Sequence, residues 1–388
     1  MSTATLNRRT LLRTAGGAGF LLATTPGGLI AQGAASDPLA PWAEAPAARH
    51  PDPRVRAISW AVLAPNPHNR QPWLAELPAA APDTVILRCD LDRRLPVTDP
   101  LDRQITIGLG GFAELFRMAA AAEGRDVSIT PFPEGEPGPR LDQRPVARLT
   151  LGPVGSGTQD PLFAHALARR SVKRPSAMDR IVAPEQLQAL AAATSGPIRF
   201  AATREPADVT RIRDIAWRAW VIEAETDAAH LETVNVMRLG RAAVAAQPDG
   251  VSVWGPGLEE AIAAGQITRE AMLRGGSGYR VMFERYTPML ASTNAYLWLA
   301  ATGGGRAAHL AAGRDWLRAN LAATAAGLSL HPISQALQEY PEMAGPLRDL
   351  HAMIARPGEQ LHMLGRIGYA AAVPPTPRWR AETRIRAV

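Results

Sequence analysis

A chain of 388 residues, 46% apolar and 20% charged, has the ordinary composition of a globular protein and length enough for one large domain or two modest ones. Its 42 Lys and Arg against 36 Asp and Glu leave a net charge of +6, but the arginines are spread along the chain, which argues against a nucleic-acid footprint. Eight histidines without a His-x-x-x-His or Cys-x-x-Cys pairing give a metal site little support, and the one cysteine, Cys89, reads as a small core residue unable to form an internal disulfide.

The chain opens with Asn7, Arg8, Arg9, Thr10, Leu11, Leu12 and Arg13, which resemble the twin-arginine export signal: an Arg pair, a large apolar residue, then a basic one. A weakly apolar run over 15–30 follows, broken by Gly16, Gly17, Gly19, Pro26, Gly27 and Gly28, so it makes a poor permanent membrane span. The expectation is a signal peptide over 1–35, with a disordered basic tail or an uncleaved anchor as the rival reading. A Pro- and Ala-rich linker or wrapping arm over 36–53 comes next, with room for a short helix.

A helix over 55–63 leads into a stiff loop, then a strand over 83–88, a charged loop over 90–100 and a helix over 102–123. Asp102 can cap that helix, and Ile105, Leu109, Phe112 and Phe116 recur at helical spacing. Gly108, Gly110 and Gly111 would each weaken an isolated helix by roughly 1 kcal/mol, so they are expected to admit another helix or a flat ring. Strands over 127–130 and 146–151 follow, and the Pro- and Gly-rich stretch 152–161 is the candidate boundary between an N-terminal half over 54–160 and a C-terminal half over 161–373.

The second half starts over with helices predicted at 162–170, 184–193 and 207–226. Residues 240–280, with weak periodicity and scattered glycines, read either as a lid or as a plain surface excursion. A central strand over 295–300, a helix over 307–326 stopped by Gly327, a strand and turn over 328–335 and a last strand over 361–369 complete it. A Pro- and Arg-rich arm occupies 374–388.

The loop running from Ala64 to Trp73 carries the most specific signal. Pro65 and Pro67 fix φ and remove donors, while Asn66 and Asn69 tolerate turn geometry, so the segment is rigid. Pro65, Asn69, Gln71, Pro72 and Trp73 resemble the P-x-x-x-N-x-Q-P-W loop of the FMN-dependent nitroreductase superfamily; the alternative is a structural loop with a buried Trp. The resemblance implies that Pro65, Asn66, Pro67, Asn69 and Gln71 lie against the flavin.

Arg169, Ser171 and Lys173 are similar to the Arg-x-Ser-x-Lys loop of the same superfamily, which implies phosphate and ribityl contacts from Arg169 and Ser171 and a pyrimidine-edge contact from Lys173, with Arg170 among the residues around the cofactor. A solvated helix end complementing its dipole is the other reading of these residues. Ser334 and Gln335 stand where that family brings a backbone N–H to the flavin, and Arg378 in the terminal arm becomes a second phosphate candidate. Arg366 reads either as part of this terminal strand or as a strand-edge charge.

Because the first loop lies in one half and the basic turn in the other, the chain resembles the Acg-like branch, in which two nitroreductase-like halves are fused and one polypeptide mimics a dimer. That implies an α+β nitroreductase-like fold, one FMN per chain and no metal. It also implies a two-electron oxidoreductase working between a small-molecule donor and a quinone or nitro-compound acceptor. Export through the twin-arginine translocase would place the protein in the periplasm or outside the cell. A flavin-sequestering or storage protein is the alternative.

Overall fold

The structure, a computed structural model, describes residues 37–194 and 196–388, so the export-signal expectation over 1–35 lies outside the described residues. A short helix, α1 (Ala40–Ala47), occupies the arm. The helix α2 (Pro53–Ala61) starts where Asp52 accepts from Arg54 N at 2.8 Å and Pro53 needs no partner for a missing N–H. The chain then makes β1 (Trp73–Leu77), β2 (Thr84–Cys89), the long helix α3 (Arg103–Ala122), β3 (Val127–Pro131) and β4 (Ala147–Leu151).

A second series begins with α4 (Pro184–Ala193) and β5 (Arg199–Thr203). Between them and the next long strand lie α5 (Pro206–Glu225), α6 (Asp227–Asn235), β6 (Met237–Leu239), α7 (Gly240–Ala246), β7 (Val251–Val253), α8 (Leu258–Ala263), α9 (Arg269–Met272) and α10 (Ser277–Ala291). Then come β8 (Tyr296–Thr302), α11 (Arg306–Ala325), β9 (Ser329–Pro332), α12 (Ala344–Ile354), β10 (Glu359–Gly368) and β11 (Ile385–Ala387).

The two series are the same unit written twice. One sheet has the order β11-β1-β2-β4-β3 and the other β5-β8-β10-β9, with every pairing antiparallel except β1 with β11. Each therefore runs helix, hairpin-type pair, long helix, then two more strands inserted in the same spatial order. The difference is that 78–83 suffices to link β1 to β2, whereas the corresponding link in the second unit is the whole segment 204–295. The 240–280 excursion is the latter part of this larger insertion.

The long helices α3 and α11 pack on each other at their glycines. A Cβ on Gly110 would lie 2.0 Å from Leu310 O, and one on Gly313 would lie 1.9 Å from Ile107 O. Each helix thus presents its own glycine to the backbone one turn before the other's, which is the reciprocity expected of a twofold contact. The same spacing along the chain separates Gly110 from Gly313, Arg103 from Arg306 and Glu136 from Glu339. Correspondingly, Arg103 Nε pairs with Glu339 at 3.2 Å while Arg306 N donates to Glu136 at 2.8 Å. The α+β expectation of two pseudo-symmetric halves holds. α3 is also the one described helix long and apolar enough to cross a membrane, and 89% of that window is buried inside the protein.

Several local expectations are corrected. The helix predicted over 162–170 is only a 3-10 turn, Pro161–His165, because the chain must straighten for Ser171 to bridge Leu330 in β9. Asp102 does not cap α3: its φ is +56° and its carboxylate accepts from Leu141 N, while Asp99 takes the cap role by accepting from Gln104 N and Ile105 N at 3.0 and 2.9 Å. The stretch 361–369 is not the last strand, since β11 follows it and extends the first sheet alongside β1. Arg366 is no strand-edge charge but is buried on β10.

Candidate functional site

The site is built from three chain segments that meet beside the α3–α11 pair. The front loop after α2 is held in an unfavourable conformation: His68, Asn69 and Gln71 have φ of 46°, 52° and 51°. Side chains other than Gly and Asn rarely adopt such values, so the surroundings must impose them. Asn66 Oδ1 accepts from Gln71 N at 2.7 Å, Gln71 Nε2 donates to Pro248 O at 2.7 Å, Gln71 Oε1 accepts from Trp379 N at 2.9 Å, and Gly250 N donates to Asn69 O at 3.0 Å. Gly108 lets this loop lie on α3, since a Cβ there would come within 3.0 Å of Asn66 Cβ and 3.2 Å of Pro67 Cδ. Trp73 closes the loop by packing on Phe112 of α3 with ring centroids 5.3 Å apart.

Behind the loop three guanidiniums converge. Arg169 Nη2 donates to Leu63 O at 3.0 Å, and Arg378 Nη2 donates to Ala64 O at 3.1 Å and Leu63 O at 3.3 Å. Arg378 Nη1 also donates to Asn69 Oδ1, and Asn69 Nδ2 donates to Pro377 O at 3.0 Å. Arg170 Nη1 donates to Leu167 O and to Arg169 O, both at 2.7 Å. Arg169 and Arg378 are 3% and 4% exposed, and among the described residues no carboxylate pairs with any of the three. Nε of Arg170 and Nε of Arg378 are buried without a hydrogen-bond partner.

Electrostatics measure how unfavourable this is. Burial and then Arg170 pull Arg169 down to about 9, and burial followed by Arg169 and Arg170 pulls Arg378 well below its ordinary value. Buried cations with orphaned donors and no counter-charge describe a socket for an anion.

The third segment follows the bridge between Ser171 and Leu330, where Val172 N donates to Leu330 O at 3.0 Å. Lys173 is exposed on this turn, and its charge bears on His68, His331 and Glu223. Burial, then Lys173 and Arg70, hold His68 at about 4, so its ring is neutral at pH 7; its Nε2 lies 3.3 Å from Thr233 Oγ1. Burial pushes the Glu223 carboxyl up, opposed by Gln338, whose Nε2 donates to it at 2.8 Å, and by Lys173 and Gln335. Ser334 and Gln335 come two and three residues after the end of β9, the strand that Ser171 bridges, so the basic turn and the turn after β9 are neighbours. The backbone around Ser334 is fixed by Ile333 N donating to Leu364 O at 2.8 Å and Leu337 N donating to Ser334 O at 3.0 Å.

Of the residues singled out from sequence, Arg169, Arg170, Arg378 and Asn69 meet at the cationic socket, and Ser171, Lys173, Ser334 and Gln335 lie along the neighbouring turns. Pro65, Asn66 and Pro67 rest on α3. Gln71 is fully buried and both ends of its amide are engaged within the protein, so it braces the loop from inside. Sequence reasoning missed Trp42, His68, Glu223 and the role of Arg366. Arg366 donates Nε to His331 Nδ1 at 3.0 Å and Nη2 to Val172 O at 3.4 Å and to Arg174 O, anchoring the turn that carries Lys173. An arginine inside an apolar strand was the available signal for it; nothing in the Pro- and Ala-rich arm marked Trp42 for this place.

No family model matches the chain. Among curated proteins it is 27% identical over 328 residues to "Putative NAD(P)H nitroreductase Rv3131" of Mycobacterium tuberculosis, covering 83% of this chain and 87% of that protein. This chain is similar to nitroreductases across most of its length. It is also 39% identical over 77 residues to "Putative NAD(P)H nitroreductase acg" of the same organism, a match spanning 20% of this chain and only 22% of that relative's length. Solved structures that align with part of this nitroreductase-like chain include a nitroreductase with bound FMN from Bacteroides fragilis, at 14% identity, TM-score 0.35, 58% of this chain and 97% of that one. Another is the FMN-dependent nitroreductase NfnB from Mycobacterium smegmatis in complex with NADPH, at 18% identity, TM-score 0.34, 56% of this chain and 93% of that one.

Proposed function

We propose that this chain is an exported FMN-binding oxidoreductase of nitroreductase type, with one FMN bound at the seam of its two halves. The observation that carries the reading is the convergence of the buried Arg169 and Arg378 with the half-buried Arg170, two of them with an orphaned Nε and none paired with a carboxylate among the described residues. These would hold the phosphate, with Ser171 on the ribityl chain. Pro65, Asn66, Pro67 and Asn69 would border the ring, with Gln71 supporting them, Lys173 at its pyrimidine edge and Ser334 and Gln335 at its central edge. When bound, FMN supplies two-electron transfer between a small-molecule donor and a quinone or nitro-compound acceptor. The protein's share is position and charge: the strained front loop keeps a rigid wall, and the Arg366 anchor keeps Lys173 in place.

On this reading residues 1–35 are the twin-arginine leader, recognised by its translocase, the halves occupy 54–160 and 161–373, and the exported chain works as a monomer mimicking a dimer in the periplasm or outside the cell. A second reading, flavin storage, draws on the large insertion, which is bonded to the front loop through Pro248, Gly250 and Thr233 and leaves less freedom for substrate entry. Protein purified from an FMN-producing host should carry an oxidised-flavin spectrum. Anaerobic addition of NADPH or a quinol should bleach it, and a quinone or nitroaromatic should restore it. A colourless protein removes the flavin reading, and a yellow protein that no donor bleaches leaves storage.

A further inference from the structure

The arm that precedes α2 reaches the cationic socket. Trp42 of α1 is 8% exposed, with the Arg170 guanidinium 4.6 Å and the Arg378 guanidinium 5.8 Å from its ring centroid. Its indole N–H donates to Thr376 O at 2.8 Å, Arg378 N donates to Pro38 O at 2.9 Å, and Glu44 pairs with Arg380 at 2.8 Å. The two outlying arms of the chain are thereby tied to each other across the socket. Ala45 of the same helix is buried in the hydrophobic core with Ala57, Ile58 and Leu63, which seats α1 against the body of the protein.

The choice of residue matters. Two cations brought together need an attractive neighbour, and a carboxylate would supply one while cancelling the charge an anion has to meet. An indole face attracts both guanidiniums through its quadrupole and leaves their full charge available. We propose that Trp42 is a positioning residue and α1 a clasp, holding Arg170 and Arg378 aimed at a phosphate monoester and slowing its escape. This rests on the FMN reading and deepens it: retention of the phosphorylated flavin depends on an arm outside both repeated units.

The test compares full-length wild type with Trp42→Phe, which keeps a π face, and Trp42→Leu, which keeps apolar bulk without one. FMN release is followed after dilution by the return of free-flavin fluorescence, riboflavin affinity is measured by titration, and thermal unfolding checks the fold. Trp42→Leu should speed FMN release about tenfold, the worth of a desolvated cation–π contact, while Trp42→Phe, which keeps a π face but loses the N–H bond to Thr376 O, should release FMN clearly more slowly than Trp42→Leu. Riboflavin, lacking the phosphate, should bind all three alike. Equal release from the Leu and Phe variants, or equal losses for FMN and riboflavin, overturns the clasp. A folded wild type that takes up neither flavin overturns the underlying reading and the clasp with it, whereas uptake of FMN with the variants indistinguishable defeats the clasp alone.

Discussion

Two trios of arginine occupy comparable places in the two repeated units and have opposite fates. At the C-terminal end of α2, Arg169, Arg170 and Arg378 meet with carbonyls, an asparagine and an indole for company. At the C-terminal end of α4, where Arg318 Nε donates to Ala193 O at 2.6 Å, Arg117, Arg314 and Arg318 gather around Glu114 at 2.6, 2.9 and 3.0 Å, and Arg318 also pairs with Asp160 at 2.6 Å. Glu114 is fully buried. Burial alone would raise its carboxyl, but the hydrogen bond from Arg117 and the charges of Arg314 and Arg117 outweigh that and hold it at about 2. The second trio is complete within the protein and works as structure. The first has no carboxylate partner among the described residues, which on the FMN reading would leave the fused halves with a single cofactor site.

The comparison can be broken most severely at the contact both regions share. Gly313→Leu places a side chain on the backbone of α3, with its Cβ 1.9 Å from Ile107 O, and should cost about 5 kcal/mol or more in denaturant unfolding. Near-wild-type stability would show that the glycine crossing does not join the halves. Next, Glu114→Ala strands three cations and should cost about 3 to 5 kcal/mol in the flavin-free protein, by the rule for removing one partner of a buried ion pair.

Acid should reveal the same carboxylate. Its folded value of about 2 lies below its ordinary 4.5, so its contribution is fully present above pH 4.5 and is lost as pH falls toward 2. About 3 kcal/mol should go in that interval, and the Glu114→Gln variant should lack this part of the pH dependence. A wild-type and variant difference that stays constant from pH 6 to pH 3 would contradict the assignment.

At the other trio the signs reverse. Arg378→Ala relieves repulsion among buried cations, so flavin-free stability should change by less than about 1 kcal/mol, the loss of its carbonyl bonds offsetting the relief. FMN affinity, read by titration, should fall roughly 10- to 100-fold, the worth of one charge-assisted contact of about 1.5 to 3 kcal/mol. If Arg378→Ala unfolds the protein as Glu114→Ala does, the two trios are alike and the distinction fails. The smallest effect belongs to Lys173→Ala. A unit charge about 4 Å from reduced flavin would shift a two-electron potential by about 90 mV at an effective dielectric near 20, and solvent screening of this exposed side chain cuts the expected drop to on the order of 40 mV. An unchanged potential in spectroelectrochemical titration would place Lys173 away from the ring.

The sequence carried much of this. Helical periodicity placed α2, α3, α4, α5 and α11 to within a residue or two, because their signals, caps, breakers and apolar spacing, are local. The Pro65-to-Trp73 loop and the Arg169-to-Lys173 turn were legible as motifs for the same reason: a short run of unusual residues fixes its own backbone. Even the glycines of α3 announced a close approach, though not that Gly313 would be the partner.

What local signals could not decide was anything depending on which distant groups meet. Asp102 is the cap that the sequence points to, and only the approach of Leu141 N and two arginines to its carboxylate leaves the role to Asp99. β11, with Ile385, Arg386 and Ala387, is too short to read as a strand until β1 offers it an edge. Likewise six arginines look alike along the chain; their difference is made by Glu114 and Asp160 reaching one trio and Trp42 reaching the other. Charge in solution is set by residue type, but charge left over for a ligand is set by burial and by neighbours brought from far along the chain, and those exist only once it has folded.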